Sequence, residues 1–132
     1  MKIKILLFII LLAAVSWKVN AAVVPLGQVQ YATATISPGF TSAALTTSGT
    51  SLVGCMMPAT FTGSSISFLA ATTLSGSYGE LDNSSGKISY NVTQGKFIAI
   101  NPVDFYGVQF FKIVSSSSEG TTRNLVCSLK GI

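Results

Sequence analysis

The chain has no histidine, only four acidic residues and a single tryptophan among its 132 positions. Without imidazole there is no Ser-His or Cys-His nucleophile pair and no histidine metal ligand. Glu80 and Asp82 form the one close carboxylate pair, and beside a turn they read more simply as two solvated loop charges than as the acid pair of a glycosidase. Asp82, Asn83 and Ser84 present oxygens, yet too few carboxylates follow one another for a dedicated calcium loop. No catalytic residue, no metal ligand and no cofactor is expected.

Charge is equally sparse, at 9% of residues, and a good part of it sits in one atypical segment. Lys2 and Lys4 precede an unbroken apolar run over residues 5–15, and a short polar stretch then ends in Val19-Asn20-Ala21, a small-residue pattern suited to signal peptidase. The run is about half the roughly 20 residues that span a bilayer. Residues 1–21 therefore read as a secretory signal peptide or an apolar leader, and no stable membrane span is expected. With Lys2, Lys4 and Lys18 set aside, the eight basic residues fall to five: Lys87, Lys96, Lys112, Arg123 and Lys130. Against Glu80, Asp82, Asp104 and Glu119 this leaves a net charge of +1, too little and too scattered for the phosphate-binding stripe of a nucleic-acid partner. Trp17 also leaves with the leader.

Two cysteines, Cys55 and Cys127, remain in residues 22–132. An even count in an exported chain reads first as one disulfide, and two thiols without histidine make a poor zinc site.

What is abundant is strand sequence. Threonine, serine, valine, isoleucine and aromatics dominate, and glycine recurs about every ten residues. Strands are expected over 28–36, 51–57, 65–70, 87–92, 96–100, 108–114 and 124–130. In the last, Leu125, Cys127 and Leu129 alternate against Val126, Ser128 and Lys130, and Val53, Cys55 and Met57 share one face in the same way. Both cysteines thus fall on core-facing positions. The cluster Asp82-Asn83-Ser84-Ser85-Gly86 marks a turn, and Thr93-Gln94-Gly95 is short enough to close a hairpin. Ser115 to Ser118 reads as an exposed connection. Pro102 and Gly107 bracket a tight corner with Phe105 tucked inwards.

Together these features predict an all-β fold, a single antiparallel, jelly-roll-like β-sandwich over residues 50–132. Residues 22–49, rich in alanine, threonine and serine, form an added first strand or an arm. Phe61, Phe68, Phe97, Phe105, Phe110 and Phe111 supply the aromatic core area, most of it between the sheets. Phe110 and Phe111 are adjacent, so in a strand they point to opposite faces. One of them must lie outside the core or under a partner, which makes Phe110, Phe111 and Tyr106 the candidate interface. Asn83-Ser84-Ser85 and Asn91-Val92-Thr93 match the glycosylation acceptor pattern, one that arises often by chance in such a chain.

Met57-Pro58-Ala59, Phe61-Thr62-Gly63, Ile66, Phe68, Tyr78, Leu81-Asp82 and Gly86, followed by Ile98, Ile100, Pro102, Phe105, Gly107, Phe110, Lys112-Ile113, Ser115 and Arg123-x-Leu125, form an ordered pattern. It resembles the small β-sandwich modules of bacteriophage virion structural proteins: minor head, decoration, fibre or tail components. The chain departs from that pattern at Thr72-Thr73-Leu74-Ser75-Gly76, at Gln109, in its cysteine pair and in its leader. The resemblance implies a non-enzymatic virion protein whose partners are other virion proteins or further copies of itself. It also implies structural roles for Pro58, Phe61, Phe68, Tyr78, Pro102, Phe105, Gly107, Lys112 and Arg123. On the residues alone, Lys112 and Arg123 serve solubility and pair at the surface with Asp104 or Glu119. The alternative is a secreted or periplasmic β-sandwich that binds protein or a surface glycan, with Tyr78, Tyr90 and Tyr106 as the available stacking rings.

Overall fold

The computed structural model describes residues 25–132, so the leader reading at residues 1–21 lies outside the described part of the chain. Strands follow in the order β1 (Val29–Ile36), β2 (Gly39–Thr41), β3 (Leu45–Thr46), β4 (Thr50–Met56), β5 (Ser65–Ala71), β6 (Gly79–Glu80), β7 (Asp82–Asn83), β8 (Gly86–Lys87), β9 (Ser89–Asn91) and β10 (Phe97–Ala99). A 3-10 turn at Pro102–Phe105 then leads to β11 (Phe110–Glu119) and β12 (Arg123–Gly131).

They form two antiparallel sheets and a small hairpin. Sheet 1 has the order β1-β12-β4-β10, and sheet 2 the order β2-β11-β5-β6, with β3 also pairing β11 and β9 pairing β5. The chain changes sheet from β1 to β2, from β3 to β4, from β4 to β5, from β9 to β10, from β10 to β11 and from β11 to β12. That is the wrapping order of a jelly roll, a sandwich of two interleaved Greek keys. Crossing at each step gives every alternating strand a second sheet against which to bury its apolar side. β1, from the alanine- and threonine-rich first segment, pairs with β12 along its whole length, from Val29 opposite Lys130 to Ile36 opposite Arg123.

Phe68 is the centre of the core. Its ring meets Phe105 edge-on at 5.0 Å, Tyr90 at 6.2 Å and Phe111 at 6.4 Å, and Phe105 and Phe111 close the cluster at 5.6 Å. Edge-to-face contact sets the positive rim of one ring against the negative face of another, adding to the area they bury. Phe105 reaches this cluster because Pro102 starts the 3-10 turn and the Asn101 side chain accepts from the Val103 N–H at 3.2 Å. The expected corner is thus an element that plugs one end of the sandwich.

The cysteines are joined. Cys55 on β4 lies directly opposite Cys127 on β12, with Cα atoms 3.9 Å apart, so the disulfide ties the two central strands of sheet 1 from the core side.

Several expectations require correction. Thr93-Gln94-Gly95 does not close a hairpin, because β9 pairs β5 in sheet 2 and β10 pairs β4 in sheet 1; the turn carries the chain between sheets. Val53 does not share the face of Cys55. A register shift between Ser128 and Leu129 sets Leu52 opposite Leu129 and Gly54 opposite Ser128, so Leu52 points inward and Val53 is the extra residue of a bulge. Ser115 to Ser118 belong to β11 rather than to an exposed connection, and Ser115 is buried. Among the phenylalanines expected between the sheets, Phe61, Phe68, Phe105 and Phe111 are buried, whereas Phe97 is exposed and Phe110 half-buried.

Candidate interaction surface

The two sheets present very different outer faces. On sheet 2, Lys112 of β11 faces Leu69 of β5, which faces Glu80 of β6. The Lys112 ammonium sits 4.3 Å from the centre of the Tyr78 ring, and Lys87 pairs with Glu80 at 2.7 Å. Tyr78 in turn donates its hydroxyl to the Leu74 carbonyl at 2.7 Å. Lys112 therefore makes no surface ion pair with an acid; its aliphatic stem and charge are occupied by an aromatic ring.

At one end of sheet 2 a buried carboxylate binds backbone. Glu119, 1% exposed, accepts from the Thr62 N–H at 3.1 Å, the Gly63 N–H at 3.2 Å, the Ser115 hydroxyl at 3.0 Å and Arg123 Nε at 3.0 Å. Next to it, the Ser116 hydroxyl accepts from the N–H groups of Ser64 and Ser65 at 3.0 and 3.1 Å. The loop after Phe61 thus has its amides satisfied by β11 side chains. Gly63 allows the approach, since a Cβ there would lie 2.3 Å from Ser115 Oγ. Burial pushes the Glu119 carboxyl up, but hydrogen bonds from Thr62, Arg123 and Ser115 outweigh it and hold the group below its ordinary value. Arg123 therefore pairs with Glu119 as expected, but the pair is part of the interior rather than a surface bridge, because the loop over residues 62–65 covers the carboxylate. Asp104, the other expected acid, accepts instead from the Asn83 amide at 3.3 Å.

Among the described residues sheet 1 has no such cover. Register places Thr33, Val126, Met56 and Phe97 in one row across β1, β12, β4 and β10, and Tyr31, Ser128, Gly54 and Ala99 in the next. Tyr31 is 72% exposed and Phe97 53%, and Val29, Val126 and Met56 are exposed beside them. β1, β4 and β10 contain no charged residue, so Lys130 is the one charge within these rows and their continuation at Val29. Gly54 shapes the surface: a Cβ there would meet Phe97 ring carbons at 2.4 Å, so the ring lies directly on the β4 backbone. Beyond the bulge the face runs into an open groove of about 410 Å³ lined by Leu26, Val53, Pro102, Tyr106, Lys130 and Ile132.

These positions sort the residues expected to matter. Tyr106 is exposed on the groove, whereas Phe111 is fully buried and belongs to the core, because β11 turns its odd-numbered residues inward. Phe110 is half-buried between Thr46 of β3 and Ala71 of β5, away from the face of sheet 1. Phe61, Phe68 and Phe105 are buried, Pro58 and Pro102 half-buried, and Gly107 exposed. Tyr31, Met56, Phe97 and Val126 were not singled out as a group, although the alternation of residues 124–130 already placed Val126 outside. Glu119 was missed as a buried group, since its amide partners lie 56 and 57 positions away.

No protein-family model, curated protein or solved structure matches this chain.

Proposed function

We propose that this protein is a non-enzymatic β-sandwich subunit that acts through protein–protein assembly contacts, exported after removal of its leader. The observation that supports this reading is the outer face of sheet 1. Centres of protein interfaces are depleted in charge and enriched in aromatic residues and methionine, and the rows holding Tyr31, Met56 and Phe97 have that character. A contiguous apolar surface of this kind, beside an apolar groove, is a contact surface rather than ordinary exterior. Glycan binding is the weaker alternative. Sugar sites set a stacking ring among convergent hydrogen-bonding groups, whereas the neighbours of Phe97 are Met56, Gly54 and Ala99.

The Cys55–Cys127 bridge favours the exported placement, since disulfides persist outside the reducing cytoplasm. A second reading, a capsid, fibre or tail component of a phage particle, is favoured by the jelly-roll strand order, an architecture common in viral capsids. Fold by itself does not carry function.

The test is to fractionate the source culture into periplasm, medium and particles, with a photo-crosslinking residue at Phe97. The expected result is a periplasmic or secreted species lacking residues 1–21, gaining about 2 Da on reduction and crosslinked to protein. Recovery in particles with residues 1–21 retained would overturn export in favour of the virion reading. Absence of any protein crosslink would overturn the assembly reading.

A further inference from the structure

The free edge of sheet 1 identifies a partner for the assembly reading, on which this inference rests. β1 is an eight-residue edge strand, whereas β10 at the other edge has three residues and β6 and β9 on sheet 2 have two and three. Long edges are normally guarded by charge, proline or a bulge. β1, Val-Gln-Tyr-Ala-Thr-Ala-Thr-Ile, has none of these, and it pairs with β12 without a register shift.

The hydrogen-bonding pattern shows which groups are free. The Gln28 carbonyl accepts from Gly131 on the β12 side, whereas the Thr35 carbonyl accepts from Ala43 on the opposite side. Main-chain groups alternate sides in an antiparallel strand, so Val29, Tyr31 and Thr33 direct their N–H and C=O groups away from β12. Among the described residues none of these groups has a main-chain partner. The same three residues have exposed side chains on the outer face.

The geometry points to a symmetric dimer in which β1 pairs antiparallel with β1 of a second copy. Centred on Tyr31, the pairing sets Tyr31 against its own counterpart and Val29 against Thr33 of the other copy. Each pair exchanges N–H and C=O groups reciprocally, as a two-fold axis requires. Because β1 carries no charge, its copy meets no like-charge opposition. Tyr31 belongs both to the edge and to the exposed row, so pairing joins two copies of sheet 1 into one sheet with a continuous apolar outer face. A copy of this chain fits the edge better than a charged peptide, since only Lys130 near Val29 would meet a carboxylate.

The contact is small by the standard of permanent interfaces, so a reversible dimer in the micromolar range is expected. Sedimentation equilibrium of the disulfide-intact exported chain tests it. Thr33→Pro removes an outward N–H without touching the β12 ladder, and Tyr31→Lys sets like charges across the axis. Both should raise the dimer Kd at least about tenfold with thermal unfolding little changed, the second more strongly at low salt. A wild-type chain that stays monomeric through the micromolar range overturns the inference. So does a dimer that survives both substitutions, or one that survives Thr33→Pro and is dissolved by Phe97→Lys, which would indicate stacked faces. A monomer that still crosslinks to another protein in the source culture overturns self-pairing alone and leaves the assembly reading standing.

Discussion

The outer faces of the two sheets belong to strands of similar composition, yet among the described residues one is largely occupied by the chain's own contacts and the other is left open. Sheet 2 uses Lys112, Tyr78, Glu80 and Lys87 on its surface and Glu119 with Arg123 at its end, so these charged groups already have partners within the chain. Sheet 1 shows Tyr31, Met56, Phe97 and Val126 to solvent and leaves the β1 edge unpaired from Val29 to Thr33 among the described residues. The lesson concerns where a sandwich spends its charges. Residues that lock one face cannot also serve a partner, and an apolar, uncharged face is available to one.

Four perturbations test this contrast, beginning with the largest effect. The disulfide holds the centre of the open sheet from inside and closes a loop with a sequence separation of 72. Replacing both cysteines by alanine should cost about 4 kcal/mol on the chain-entropy account, read as a lower urea midpoint that reductant no longer shifts.

Next is the lock on the closed side. Glu119→Ala leaves Arg123 and the amides of Thr62 and Gly63 without their acceptor, and about 3 kcal/mol should be lost. The same group sets an acid limb. Because its pKa is lowered by folding, its contribution is complete above the ordinary value of 4.5 and is lost as pH falls through the lower native value. Urea midpoints measured down to acid pH should fall in the wild type, and Glu119→Gln should flatten that limb.

The two smallest changes compare the faces directly. Lys112→Ala removes the contact with Tyr78 and should cost about 0.5 to 1 kcal/mol. Phe97→Ser on the open face should change stability by no more than about 0.5 kcal/mol while abolishing crosslinking at neighbouring Met56. If Phe97→Ser proves as costly as Lys112→Ala or worse, the open face is holding the fold together and its reading as a contact surface fails.

Much of the fold is legible in the chain. Alternation marks Leu125, Cys127 and Leu129 as interior and Val126 and Lys130 as exterior, and the structure places them so. Ser128, expected outside, is buried between β1 and β4, and its hydroxyl donates to the Gly54 carbonyl at 3.4 Å. Val53 breaks the pattern because one extra residue in β4 reverses the facing of those before it, and nothing within the strand announces the bulge. Phe110 and Phe111 can be told to oppose each other, but which one is interior depends on where β5 and the 3-10 turn lie. The open face was legible only in fragments: Val126 and Lys130 follow from alternation, while Tyr31, Met56 and Phe97 come onto one face through pairing.

The sequence by itself determined the strand periodicity and the core-facing cysteines, because these follow from side chains alternating along a local backbone, and the inward corner at Phe105, because Pro102 and Gly107 bracket it. Tertiary structure alone decided that Glu119 is an interior anchor and that the rows on sheet 1 form one apolar face. Those properties depend on strands from distant parts of the chain meeting in one register, which fixes both the partners of a charge and the neighbours of a ring.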